Sequence, residues 1–292
     1  MIDPAYPLLA SMAVSMVLFQ LNQRLASPVL AIVNRWLRWL IFAFGGAYVA
    51  RDFELLQRPY EVLVAIFFLL WFLGETLYNW LAIHALSVSP LPLFPRYVPN
   101  ESGEEWPIQP RLLKVREWLR TQGFRQVKAL KAEIGGGIFL RVSIYQEAEA
   151  KLRVQAMFLP QANGTITVCY LLSSQTIDGR RLVTDNLYIP FGGFYPENWH
   201  VERTPWRRSL SRLMLRHRAR IAEVGVALES WMNDPLADLN FQQSELDRLN
   251  TELGFLYPHS ERDDFGKITH QGRYRVWKEI WTLDYLGRPT RY

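Results

Sequence analysis

Apolar and polar positions follow two different rules along this chain, and the change falls near residue 87. Before it, three long apolar stretches leave no room for alternation. They run over about residues 7–21, 29–50 and 62–86. A run of about twenty apolar residues is what a helix needs to cross a bilayer. The third is the strongest, with Phe67 through Leu73 all apolar. The second is interrupted by Arg35 and Arg38, and the first is short for a span. The pattern predicts two or three N-terminal transmembrane helices.

Between 87 and 110 the chain carries prolines at 90, 92, 95, 99, 107 and 110. Proline removes a backbone donor and fixes an extended φ, so this stretch cannot continue a helix. It reads as a stiff linker. Phe94, Tyr97 and Trp106 either dip into the headgroup layer or pack on the following domain.

From 111 the periods change again. Arg111–Thr121 has helical spacing of Leu112, Leu113, Val115, Trp118 and Leu119, and Gly123 ends it. Strand patterns follow over 127–134, 138–145, 152–159, 165–174 and 181–184. In the second of these, Phe139, Arg141, Ser143 and Tyr145 share one face, and Ile138, Leu140, Val142 and Ile144 the other. Asn163-Gly164 and Asp178-Gly179 mark hairpin turns. A long helix is predicted over 205–231, with Thr204 as cap and Pro205 in its first turn. Its inward stripe is Leu210, Leu213, Met214, His217, Ile221, Val224 and Leu228. Shorter helices are predicted over 244–253 and 273–285. The fold class is α+β: an antiparallel β-meander, covered on one face by helices, in a domain spanning 111–292.

Charge gives these elements a direction. Formal net charge is +5 and the isoelectric point about 9.3. Residues 1–6 carry no lysine or arginine, whereas Arg24 lies in the first turn and Arg96, Arg111, Lys114, Arg116 and Arg120 follow the third apolar stretch. The positive-inside bias therefore predicts an integral inner (plasma) membrane protein, N-terminus outside and C-terminal domain cytoplasmic. The start lacks the positive charge and small-residue cleavage pattern of a signal peptide. Cys169 is the only cysteine, which excludes an intrachain disulfide and fits a reducing compartment. The glycosylation patterns Asn100-Glu-Ser102 and Asn163-Gly-Thr165 are silent on the cytoplasmic side.

Candidate chemistry begins inside the apolar stretches. Arg38 and Glu75 lie twelve and thirteen residues from the outer ends of the second and third stretches. At about 1.5 Å per residue both sit roughly 18–20 Å deep. A carboxylate there is costly unless protonated, paired or wetted. The expectation is an Arg38–Glu75 clasp, with Arg35 and Asn79 extending the polar band. Small residues four apart (Ser11 and Ser15, Ala43 and Ala47, Gly46 and Ala50) predict close helix packing within one chain, or self-association into a homo-oligomer.

In the following domain, Arg208, Arg212, Arg216 and Arg220 are spaced four apart, with Arg203, Arg207 and Arg218 nearby. Such a stripe near an inner leaflet attracts anionic lipid at about 1 kcal/mol per charge. The competing reading is a solvated face paired with Glu223 and Glu229. The segment 184–200 is dense in site chemistry, and Asp185, Glu197 and His200 are candidates for acid–base or metal roles if they converge. Their spacing matches no metal or hydrolase signature. His84, His217, His259 and His270 read as structural, and Tyr274, Trp277, Trp281 and Tyr285 as core contacts. No GxSxG, HExxH or CxxC occurs. Gly135-Gly136-Gly137 sits between strands, without the helix and lysine a phosphate loop needs.

The chain thus reads as a non-enzymatic, membrane-anchored protein. Its domain binds anionic lipid or a protein partner, with no cofactor, no metal and no nucleic acid. Alternatives are a membrane-tethered enzyme acting on a lipid or small polar substrate through the 185–200 loop, and an oligomeric channel or transporter subunit centred on Glu75.

Overall fold

The computed structural model describes residues 5–25, 27–102, 106–160 and 166–290. The three apolar stretches are helices α1 (Ala5–Leu25), α2 (Pro28–Asp52) and α3 (Tyr60–Val88), each long and apolar enough to cross a membrane. The first is longer than the pattern suggested. Its flanking Tyr6, Asn22 and Gln23 continue the helix beyond the apolar run.

The remaining elements form an eight-stranded, mostly antiparallel sheet with helices. They run in the order β1 (Val98–Pro99), α4 (Pro110–Thr121), β2 (Arg125–Gly135), β3 (Ile138–Gln146), β4 (Arg153–Pro160), β5 (Ile166–Thr176), β6 (Arg181–Asp185), β7 (Trp199–Arg203), α5 (Leu210–Val224), β8 (Leu228–Glu229), α6 (Pro235–Glu252), α7 (Arg262–Phe265) and α8 (His270–Leu286). Strands β1 to β6 neighbour one another in chain order. β7 lies parallel to β6, and β8 pairs with the end of β5. The Asn163-Gly164 turn lies outside the described residues.

The chain divides into two compact units. One holds α1–α3, residues 190–192 and the chain from Arg273 onward. The other holds Val88–Ile189 and Gly193–Gly272. The expected domain of 111–292 is therefore too long, because most of α8 packs with the N-terminal helices. No local pattern announces this: α8 has ordinary amphipathic spacing, and its partners lie some two hundred residues earlier.

Small residues pack the first unit. Ala43, Ala47 and Ala50 of α2 are buried, and Leu63 of α3 packs against Ala47 and Ala50. At Gly46, a Cβ would stand 2.5 Å from the Phe67 ring, so only glycine admits that approach. Ser15 Oγ donates to Asn34 Oδ1 at 2.8 Å between α1 and α2. Ser15, Gly46, Ala47 and Ala50 thus make contacts within the chain.

In the second unit, alternation along the strands feeds two cores rather than one. Tyr145, Val154, Ala156, Phe158, Tyr170 and Leu172 face α4 and α5, meeting Leu112, Leu119, Leu210, Leu213 and Met214. Leu130, Val142, Ile144, Met157 and Cys169 face the other way, with Leu239 of α6 and Tyr97. The sheet is covered on both faces, because α6 begins at Pro235 rather than at 244. Asp234 caps it, accepting from Ala237 N at 3.3 Å. The proline-rich segment is no free strap: Val98–Pro99 pairs with β2 as an edge strand, where proline's missing donor costs least. Tyr97 and Trp106 are core residues of this unit.

The helix expected over 205–231 spans only Leu210–Val224. Ser209, not Thr204, is its N-cap position, and Gly225, at φ 65°, ends it in the left-handed conformation. Leu228, expected on the inward stripe, instead pairs with Thr176.

Candidate functional site

In the first unit, Glu75 and Arg38 do not pair. Glu75 Oε2 accepts from Trp71 Nε1 at 2.8 Å and from the Tyr285 hydroxyl. Arg38 is exposed, its guanidinium 5.9 Å from the centroid of the Trp71 ring, a cation–π contact. Arg35 forms the ion pair, with Asp284 of α8. Arg38 and Glu75 lie at matching depth on α2 and α3, but a third helix competes, pairing with Glu75 and with Arg35. Helix α8 supplies both missing partners from adjacent positions, 284 and 285. Asn79 is buried on the same helix as Glu75, and its Nδ2 donor has no partner among the described residues.

The aromatic residues of α8 explain why it binds here. Tyr274, Trp277, Trp281 and Tyr285 repeat at helical spacing, so they share one face. Trp281 lies 5.7 Å from Trp39 and 5.0 Å from Phe72, and Trp36 meets Tyr285 edge-on at 5.2 Å. Trp36 Nε1 also donates to Tyr285 O at 3.0 Å. The period was visible in the sequence; its partners were not. Gly192 seats the 190–192 segment on the same helix. At φ +69° its Cβ would meet Val276 N at 2.8 Å, its N–H donates to Glu279, and its carbonyl accepts from Arg275 Nε at 2.7 Å.

In the second unit, Asp185, Glu197 and His200 do not converge. β6 and β7 run parallel, with Asp185 opposite Arg203 and Leu182 opposite His200. Three positions along a strand reverse the face and advance about 10 Å. Asp185 is buried, pairing with Arg203 Nε at 3.4 Å and accepting from Leu187 N at 2.9 Å. Glu197 and His200 are exposed. Among the described residues no group of three histidine, cysteine or carboxylate side chains can hold a metal.

The arginine stripe divides. Arg208 precedes the helix, and a step of four residues overshoots one helical turn by about 40°, so the two steps from Arg212 through Arg216 to Arg220 sweep from solvent to core. Arg220 is buried and donates to Val183 O at 2.5 Å, Thr184 Oγ1 at 2.6 Å and His200 O at 2.6 Å. Arg216 binds Glu202 through Nη2 at 2.6 Å and Glu223 through Nη1 at 2.8 Å, which lowers the Glu202 pKa. Arg208 and Arg212 remain exposed, as do Arg207 and Arg218. Beside Arg220, His217 is fully buried between Ser174 Oγ, 3.1 Å, and Thr184 Oγ1, 2.9 Å. Burial, and then the Arg220 charge, lower its pKa to about 3.

A second buried polar cluster of this unit joins residues that the sequence did not bring together. Asp238 of α6 accepts from Arg153 Nη1 at 2.7 Å and Arg181 Nη2 at 2.6 Å. The Trp231 ring lies 4.5 Å and 4.8 Å from the two guanidinium carbons. The signal was an arginine at an inward strand position, Arg153, which needs an acid from elsewhere. The arrangement ties sheet to helix, with Arg153 and Asp238 buried and Arg181 nearly so. Comparison with known protein families, with characterised proteins and with solved structures finds no match.

Proposed function

We propose that this chain is a non-enzymatic protein of the inner (plasma) membrane, anchored by α1–α3, that presents its sheet-containing unit to an anionic partner on the cytoplasmic side. The lysine and arginine bias after the third helix supports that orientation. The observation that carries the binding reading is the outward face of α5. Leu215, 68 % exposed, stands between Arg212 and Arg218 at helical spacing, and exposed Arg208 lies just before the helix. Arg212 and Arg218 form no ion pair among the described residues. An exposed leucine flanked by cations is the pattern of a helix that touches a membrane surface. The partner is therefore anionic lipid, and the binding arginines are Arg208, Arg212 and Arg218; Arg216 and Arg220 serve the fold.

The test is hydrogen exchange of residues 210–224 in the full-length protein, reconstituted into neutral and into anionic nanodiscs. Anionic lipid should slow exchange in this segment, high salt should reverse the effect, and Arg212→Ala with Arg218→Ala should remove it. Equal exchange in the two lipids would sink the lipid reading. Protease that clips residues 111–272 from outside intact cells, or release of the protein from membranes without detergent, would sink the anchoring.

A further inference from the structure

A cleft of about 570 Å³ lies wholly within the second unit, between the segment after α3, one face of α6 and the turn that carries α7. We propose that this cleft binds a phosphate-bearing ligand with an apolar portion.

The walls have unlike chemistry. Three cations line it (Arg96, Arg262 and Lys267) against one carboxylate, Asp247. That carboxylate is already engaged, accepting from His259 Nε2 at 2.8 Å and Arg262 Nη2 at 3.1 Å. Among the described residues Lys267 has no acid partner: its ammonium donates to the carbonyls of Ser89 and of Leu91, the latter at 2.6 Å. Burial, and then the Arg262 charge, lower its pKa. These bonds hold the 89–96 segment in place, and with it Arg96. Arg96 is exposed, with no partner among the described residues.

Arg262 is oriented from behind. Its Nε donates to Tyr257 O at 2.8 Å and its Nη2 to Asp247 and Thr251, which leaves Nη1 for a ligand. Two planar guanidinium groups, one fixed and one free, suit a tetrahedral oxyanion better than a point charge would. Glu261, Asp263 and Asp264 belong to the same turn but do not line the cleft.

The apolar side is Leu93, Phe94 and Phe241, the last 63 % exposed. The volume falls in the range of about 300–1,000 Å³ that small-molecule sites occupy, far more than one phosphate ion fills. A lipid headgroup and a soluble phosphate ester share the chemistry. Serine hydrolysis is not favoured, because Ser244 Oγ donates to Asn240 O at 3.1 Å rather than to His259.

The inference is independent of the α5 face, and one experiment separates them. Full-length protein in neutral maltoside micelles is titrated by calorimetry with sn-glycerol 3-phosphate, dioctanoyl phosphatidic acid and, lacking phosphate, dioctanoylglycerol. At least one phosphate compound should bind and dioctanoylglycerol should not. Binding of the lipid alone, or much more tightly, identifies a headgroup with its chains; equal binding of both phosphates would show that the apolar wall contributes nothing and would overturn that part of the assignment. Arg96→Ala should weaken binding roughly tenfold or more, the loss of one charge-assisted contact. Phe241→Ala should weaken only the lipid, and Arg212→Ala should change neither. No binding of either phosphate compound, binding unchanged in Arg96→Ala at unaltered thermal stability, or equal loss in Arg212→Ala would overturn the assignment.

Discussion

Asp238→Asn removes one charge from the centre of the buried cluster and leaves two arginines facing an amide. Arg153 is fully buried and Arg181 nearly so, their side chains 0 % and 11 % exposed. Breaking a buried pair by removing one partner costs about 3–5 kcal/mol, since an uncompensated charge stays behind. Two features soften the loss. The Trp231 ring lies against both guanidinium groups, a contact worth about 0.5–2 kcal/mol, and Arg153 keeps its bond to Asn233 O at 3.2 Å. The net expectation is about 3 kcal/mol, a large share of the roughly 5–15 kcal/mol that stabilises a protein of ordinary size. For a unit of this length it corresponds to roughly 6–12 °C in the melting temperature. The assay is thermal unfolding in detergent, followed by near-ultraviolet circular dichroism, to which Trp231 contributes. Asp238→Asn combined with Arg153→Met should be less unstable than the sum of the single changes, because the second removes one of the stranded charges. A melting temperature within about 2 °C of wild type would refute the view that this cluster holds α6 to the sheet.

Three further outcomes are expected. His217 has a folded pKa of about 3, below its unfolded value of about 6.5. The unfolded chain therefore binds the extra proton first, and stability present above pH 6.5 is lost as pH falls toward 3, by about 1.4 kcal/mol per unit. Denaturant midpoints at pH 7 and pH 5 should differ less in His217→Gln than in wild type; equal pH slopes would refute the neutral, buried imidazole. Tyr285→Phe with Asp284→Asn removes both partners that α8 offers to Glu75 and Arg35, and should speed hydrogen exchange across 273–286 while α4 and α5 stay unchanged. Unaltered exchange would show that the aromatic contacts alone retain the helix. Gly46→Val should destabilise the α2–α3 contact by about 1–3 kcal/mol through collision with Phe67, read as a lower melting temperature in detergent; a neutral result would mean the two helices are farther apart than described.

What the sequence determined by itself was local. Runs of apolar residues marked three stretches as two or three helices, and the strand patterns lay within one or two residues of the ends of β2 to β6. Helix spacing picked out Leu210, Leu213, Met214 and His217 as the buried stripe of α5. These signals sit within a few turns of chain, where geometry alone dictates which side chains share a face. Tertiary structure decided what those faces meet. Arg35 and Glu75 found Asp284 and Tyr285 instead of each other, because a helix from the far end of the chain packs beside α2 and α3. Arg220 left the basic stripe for the core, because a four-residue step drifts around a helix of 3.6 residues per turn and only the sheet's position sets where burial begins. Asp185 and His200 separated because β7 lies parallel to β6, a pairing that no neighbouring residue encodes. The partners of a charged side chain are chosen by distance in space, and over two hundred residues of chain that distance is written only in the packed fold.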